Sequence, residues 1–407
     1  MTTRNPMRFE NQPAPGWKTW LALSAGAVLA ACGGGGDGGA TSAAPQGSLR
    51  LALTDAPSCG YDNVFVTVER VRVHRSDSAD EAAGGWEEIV LDQPRRIDLL
   101  ELTNGKLEEL GQIDLPAGTY NQVRLVLAAN DGRNPTANAV KPSGGAEVPL
   151  RTPSAQQSGL KLKSSFEVAE GGLADLVLDF DACKSVVKAG GSGNYNLKPV
   201  LTLAQRTQAG IQGYVSTTLT LNGTRVSAQQ DGTIVRSTVP DANGRFVLPF
   251  LPSGSYDVVI VSEGRSTAVV SSVPVGTSTL SLNDSSAAIA PPASTVRELR
   301  GTASVGGSGT PTLVLDASVR ALQALSGGPV VELAATPVDA VEASYTFSLP
   351  AAAPVRAPFA ASGLSFKADD PVAGKYRLQA NAPGRTGLTQ DADISSSDLV
   401  VDFSFAP

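Results

Sequence analysis

The sequence predicts an all-β chain built as a tandem of antiparallel β-sandwich domains. Apolar residues recur with period two in many short runs, and Gly, Asn, Asp and Pro cluster between the runs. Aromatic residues make up only 5% and charged ones 17%, while 42% are hydrophobic, enough for ordinary cores but spread over short segments. Period two puts one face of each segment inward, and the punctuation marks the turns. A length of 407 residues points to several such domains rather than one.

The N-terminal segment follows a different logic. Arg4, Arg8 and Lys18 precede an apolar run from Thr19 to Ala31, thirteen residues ending in Leu29-Ala30-Ala31-Cys32. As a helix this run would reach only about 20 Å, too short to span a bilayer but the right size for the core of an export signal. The pattern resembles the bacterial lipobox. That resemblance implies removal of a signal peptide over 1–31, acylation of Cys32 and stable anchoring through two or more chains. Gly33–Gly36, Asp37, Gly38 and Gly39 follow at once, so 32–47 reads as a lipidated Cys and flexible Gly-rich linker. Gly33 after Cys32, rather than Asp, favours the outer membrane by similarity to enterobacterial sorting.

The first folded domain is read over 48–205. Ser48–Leu53 is a strand ending in a turn at Thr54-Asp55-Ala56-Pro57. Val64, Val66 and Val68 share one face, while Val71 and Val73 continue one residue out of phase, which calls for a β-bulge near Glu69–Arg70. Arg70, Arg72 and His74 then point outward. Trp86–Leu91, Tyr120–Leu127, Leu160–Lys163, Leu176–Phe180 and Leu197–Leu203 supply further strands, with Asn104-Gly105 as a turn. LTDAP (Leu53–Pro57), VTVERVRVH (Val66–His74), RRIDLLELTNG (Arg95–Gly105), LPAGTYNQVRLVL (Leu115–Leu127) and LVLDFDACKSVV (Leu176–Val187) resemble a bacterial lipoprotein family known only as domain of unknown function 4382. The resemblance brings no activity and no assigned site. Cys59 and Cys183 are the remaining cysteines, and in an exported domain they form a disulfide candidate. The loop it would close is long enough for about 5 kcal/mol on the chain-entropy account.

Beyond Gln208 the pattern changes. Ile211–Val215 opens a strand, Asp241-Ala242-Asn243-Gly244-Arg245-Phe246 reads as a hairpin with positive φ at Asn243 and Gly244, and Leu251-Pro252-Ser253-Gly254-Ser255-Tyr256 leads into Asp257–Val261. This order is similar to the carboxypeptidase-regulatory, transthyretin-like sandwich, which implies an independently folding unit over 208–292. A second sandwich-like domain is expected over 294–407: Leu299-Arg300-Gly301 resembles the opening strand and Val372-Ala373-Gly374-Lys375-Tyr376 the corner. The Pro/Ala-Gly-x-Tyr element at Tyr120, Tyr256 and Tyr376 places each ring inward with its hydroxyl toward backbone.

Chemistry is sparse. Net charge is −7 without a basic stripe, which argues against nucleic acid. One His and three Cys cannot build a His/Cys metal centre. His74 lacks the G-x-S-x-G elbow of a hydrolase. Asp175, Asp179 and Asp181 make a weak calcium candidate, and a solvated strand face accounts for them equally. The expectation is a non-enzymatic envelope lipoprotein with a structural or binding role, no cofactor and no catalytic residue. It is anchored through its lipid and meets glycan or another envelope protein. The alternatives are a carbohydrate-binding protein using Trp86, Tyr214 or Tyr256 and, remotely, a hydrolase.

Overall fold

The computed structural model describes residues 45–55, 60–152, 159–207, 209–306, 312–313 and 316–406. The signal, Cys32, the Gly-rich linker and Cys59 lie outside them. Almost every described element is a strand, in three stacked pairs of sheets.

In the first module Gln46–Asp55 sits inside a four-stranded sheet. It runs parallel to Leu173–Phe180 and antiparallel to Glu108–Pro116, and Leu201–Gln205 forms the outer edge beyond Leu173–Phe180. The facing sheet is organised by the long strand Tyr61–His74. Glu87–Asp98 pairs along one side of it, and Gly118–Leu127 and Ala139–Pro142 follow one another along the other. The register shifts between Val68 and Arg70 in both pairings, which is the bulge that the valine phase demands. Val64, Val66, Val68, Val71 and Val73 are consequently all buried. Without the bulge half of them would face water, at about 1.5–3 kcal/mol each. The segment Leu197–Leu203, expected as one strand, is broken. Asn194–Leu197 belongs to the larger sheet and Leu201–Gln205 to the smaller. Pro199 lacks the N–H that a continuous ladder would use there.

The second and third modules share one topology. In the second, Gly210–Tyr214 pairs antiparallel with Arg245–Pro249 and parallel with Thr279–Ser281. Its other sheet has the order Thr233–Thr238, Thr224–Gln230, Gly254–Ser262, Ala268–Val275. In the third, Val296–Val305 pairs antiparallel with Ser344–Pro350 and parallel with Leu399–Val400 and Phe403–Phe405. Its other sheet has the order Val330–Pro337, Ser318–Ala324, Lys375–Asn381, Leu388–Asp393. Strand for strand the order repeats, and Leu299-Arg300-Gly301 occupies the place of Ile211-Gln212-Gly213.

The repeat differs by one insertion. Residues 351–374 stand where the second module has a short corner, and they reach back across the boundary. Val355–Pro358 adds to the second module's sheet, parallel to Ala268–Val275, and Lys367–Ala368 extends it. Phe359, Leu364 and Phe366 pack on that module's core. In return Val259 and Val269 of the second module are fully buried in the third module's core. The unit 208–292 is therefore not self-contained. Val258-Val259-Ile260-Val261 is a continuous apolar run, the signature of a strand covered on both faces.

Two of the three Tyr elements form the same bond. Tyr120 donates to Pro116 O (3.0 Å) and Tyr256 to Pro252 O (2.8 Å), each four residues back. Tyr376 has Val372 at that position and donates instead to Pro350 O.

The Asn243-Gly244 turn departs from expectation. Only Gly244 has positive φ (74°), and the flanking strands Thr233–Thr238 and Arg245–Pro249 lie in opposite sheets, so it is not a hairpin. Asp241 builds the turn, its Oδ1 accepting from the N–H groups of Asn243 and Arg245, both at 2.9 Å. The two-residue hairpin with both φ positive is at Asp231-Gly232 (50° and 70°), between Gln230 and Thr233. At Gly244 a Cβ would lie 2.1 Å from Val215 O, whose own N–H donates to Gly244 O. Gly244→Val should therefore lower stability by about 1–3 kcal/mol or more, whereas exposed Ser253→Ala should change it by less than about 0.5 kcal/mol. Thermal unfolding of the full chain followed by circular dichroism separates the two; an unchanged midpoint in Gly244→Val contradicts the assignment of strain to this turn.

Candidate functional site at the junction of the three modules

The residues singled out for chemistry are mostly spent on structure. His74 Nδ1 accepts from Ser76 N–H (2.8 Å) and Nε2 faces Gly84 O at 3.0 Å, so both ring nitrogens are held by the backbone of one loop. Trp86 lies against Arg72 and Arg124, whose guanidinium carbons are 4.7 and 4.6 Å from the ring centroid. Arg72, Arg124 and Lys161 face one another across three strands, a like-charge row that costs stability unless compensated. Trp86 supplies its π face to two of these cations, and Glu88 pairs with Arg72 at 2.6 Å. Burial and Arg72 together pull the Arg124 guanidinium below its ordinary value. Tyr256 is buried and Tyr214 half-buried, and among the described residues no Trp or Tyr is exposed. An aromatic sugar platform is thus not formed by Trp86, Tyr214 or Tyr256.

The three aspartates of the calcium candidate do not converge on one point. Asp175 is gripped by Arg50, whose Nε donates at 3.0 Å, and lies 3.5 Å from Arg206 Nε; Arg50 holds this carboxyl below the usual range. Asp179 accepts from Arg236 Nη1 of the second module at 2.8 Å. Asp181 caps the short helix Ala182–Ser185 through Lys184 N–H (3.0 Å) and lies 3.4 Å from Lys184 Nζ. Among the described residues no three His, Cys, Asp or Glu side chains are grouped as metal ligands. The partners of these three carboxylates are the protein's own cations and the backbone N–H of the short helix.

What those aspartates build is a seam. Asp179 and Arg236 are both almost fully buried, at 13% and 8% side-chain exposure. Burial pushes the Asp179 carboxyl up, and Arg236 opposes that push. Lys184 Nζ spans to Glu332 of the third module at 3.5 Å, and Glu332 pairs with Arg320 at 3.3 Å. Gln229 of the second module clips the third like an added peptide group: Nε2 donates to Glu332 O (2.8 Å), and Glu332 N donates to Gln229 Oε1 (2.7 Å). Half-buried Arg225 donates to Leu333 O, and desolvation lowers its guanidinium below the ordinary value against the pull of Glu332. Asn104, at the turn predicted from Asn104-Gly105, donates to Thr238 Oγ1 and Val239 O and accepts from Val247 N. Gly190 N donates to the Asp339 carboxylate at 2.9–3.0 Å.

Beside this seam lies a cleft of about 870 Å³, walled by 184–200 of the first module and by the outer sheet face of the third. No sequence pattern marked it, because Lys198-Pro199-Val200 read as the interior of one strand.

The fold so described agrees with comparisons to known families. Residues 46–199 match the model of a domain of unknown function, DUF4382. Residues 210–283 match the carboxypeptidase regulatory-like domain. The DUF4382 match thus stops at Pro199, two residues before the edge strand Leu201–Gln205 that completes the first module's smaller sheet, and the regulatory-like match begins with Gly210–Tyr214. The topology of the third module repeats that of the second. No curated protein matches the chain. Among solved structures, similarity extends to a cohesin–X-dockerin complex of Acetivibrio cellulolyticus (26% identity, TM-score 0.18), covering 21% of this chain and 58% of that one. The major pilin BcpA of Bacillus cereus is 9% identical with a TM-score of 0.17, covering 89% and 99%. The major pilin SpaA of Corynebacterium diphtheriae is 11% identical with a TM-score of 0.17, covering 89% and 100%. The chain thus spans 58% of the length of the first of these.

The seam makes a quantitative prediction. Arg236→Ala leaves a buried carboxylate without its cation and should cost about 3–5 kcal/mol, while Arg236→Met combined with Asp179→Leu should recover most of it. Urea unfolding of the three proteins measures this; equal losses in the single and double variants contradict it. Asp175, with its depressed carboxyl, adds stability that is present above pH 4 and lost as pH falls through its folded pKa. Asp175→Asn should accordingly flatten the acid limb of the stability–pH curve.

Proposed function

We propose that this protein is a cell-envelope lipoprotein, anchored through Cys32 to the outer membrane, whose three β modules act as one non-enzymatic structural or binding body. The observation that carries this reading is the seam. Charged and amide groups of Asp179, Arg236, Lys184, Glu332, Arg225 and Gln229, buried or half-buried, are committed to joining the modules. The sole histidine is committed to its own loop. The hydrolase alternative has no such observation behind it. Glycan or another envelope protein is the partner class this body would meet, and the Gly-rich run after Cys32 would hold it clear of the lipid surface.

The same reading includes a disulfide between Cys59 and Cys183. Asp55 and Phe180 are register partners at the ends of two parallel strands, and Asp55 Oδ1 accepts from Ala182 N at 2.9 Å. Cys59 and Cys183 follow these partners by four and three residues, so both leave the same end of one strand pair.

Metabolic labelling with a palmitate analogue should mark the wild type and not Cys32→Ser; equal labelling of both rules the anchor out. Intact-mass measurement of the exported protein, with and without reductant, should show a gain of two hydrogen atoms on reduction and no alkylation before it. Two thiols that react freely with iodoacetamide would sink the disulfide.

A further inference from the structure

We infer that two copies of this chain pair edge to edge through the strand Ser344–Pro350 of the third module, about a twofold axis. This surface is separate from the seam and the cleft, and the inference does not depend on the anchor at Cys32.

Ser344–Pro350 is an outer strand. It pairs on one side with Val296–Val305, in unbroken register from Val296↔Pro350 to Thr302↔Ser344, and has no neighbouring strand on the other. The partner strand shows which groups face the open side. Arg300 O accepts from Val401 N, and Glu298 N and Thr302 N donate to the carboxylates of Asp398 and Asp402. These three residues therefore turn their peptide groups away from Ser344–Pro350. In an antiparallel ladder the residues opposite them, Thr346, Ser348 and Ser344, turn theirs outward. Ser344 O accepts from Asp339 N. The N–H and C=O of Thr346 and Ser348, both exposed residues, have no hydrogen-bond partner among the described residues.

The same edge is closed in the second module. Ile211 pairs with Leu248 as Leu299 pairs with Phe347, so Val247 stands where Thr346 does. Val247 N donates to Asn104 Oδ1 of the first module. Among the described residues nothing supplies such a cap to Thr346.

Exposed edges are ordinarily blunted by charge, proline, a bulge or a cover. Four other outer strands follow that rule. Glu108–Pro116 carries three carboxylates, Leu160–Val168 two lysines and Leu388–Asp393 two aspartates, while Glu87–Asp98 has Pro94 and a shifted register. Ser344–Pro350 has no charge, no shift and no proline before its last residue.

A second copy is the occupant that this edge fits. Its four open groups are self-complementary. Turned about a twofold axis at Phe347, Thr346 N–H and C=O of one copy meet Ser348 C=O and N–H of the other, and the reverse pair forms symmetrically, four backbone hydrogen bonds in an isologous contact. An uncharged strand can lie against its own image because no like charges are opposed.

The test is sedimentation equilibrium of the full chain in density-matched detergent, with micelles in large excess. Wild type should pass from one chain to two with Kd of about 1–100 μM, the weak range of a small interface. Thr346→Lys with Ser348→Lys, and Thr346→Asp with Ser348→Asp, should each weaken pairing at least about tenfold, because like charges then face each other. An equimolar mixture of the two double variants should recover the dimer, since each lysine now meets an aspartate. Thr346→Pro, which removes an N–H that the fold does not use, should weaken pairing without any charge. Unfolding midpoints of the double variants should stay within about 3 °C of wild type, as the positions are exposed. A wild type that stays monomeric to about 300 μM overturns the proposal and leaves the edge to a strand of another protein. A dimer that survives both lysines and Thr346→Pro, or folded variants whose mixture stays monomeric, overturns it as well.

Discussion

The contact between Asp179 and Arg236 is the constraint on which the arrangement of modules depends. A carboxylate and a guanidinium, both buried, are tolerable only together, because either alone would carry a desolvation cost of several kcal/mol. Their pairing sets the second module against the acidic strand of the first. Once that is set, Arg225 and Gln229 on the neighbouring strand Thr224–Gln230 face the edge strand Val330–Pro337 of the third. Lys184 then closes the circuit back to the first module. The cleft lies beside this triangle, lined mainly by the first and third modules with Thr233 of the second.

The second and third modules show how one topology serves two roles. Both are seven-position sandwiches with the same strand order, yet neither is closed by itself. The insertion 351–374 lends a parallel strand to its neighbour, and Val259 and Val269 of the neighbour fill the lender's core. Exchange of this kind turns a flexible string of domains into a stiff body, because bending the joint would expose buried valines and unpair a ladder.

Local compensation explains the few polar clusters that looked functional. Arg72, Arg124 and Lys161 face one another across strands because the inward residues of those strands had to be Val and Leu. The loop 75–86 then supplies Trp86, and the strand that follows supplies Glu88, to settle the charges. His74 is the latch of that loop. These groups are polar and partly buried, as catalytic groups are, but His74 and Trp86 bond backbone atoms of the loop, and Arg72 and Arg124 are held by Glu88 and Gln122.

The sequence by itself determined the strands, the faces they bury, the bulge at Glu69–Arg70, the inward Tyr120 and Tyr256 and the families that the first two modules match. These are short-range properties: alternation of period two is written within ten residues, and a one-residue slip is visible as a change of phase. Asp257–Val261 reads as a strand, but the cover on its second face comes from the third module. Tertiary structure alone decided that Asp175, Asp179 and Asp181 meet Arg50, Arg236 and Lys184. It also decided that the Asn243-Gly244 turn links two sheets, that 351–374 crosses to the preceding module, and that a cleft opens beside Glu332. Each of these depends on which face a distant segment presents, and a carboxylate on a strand reads the same whether water, a cation or another module's arginine waits opposite it.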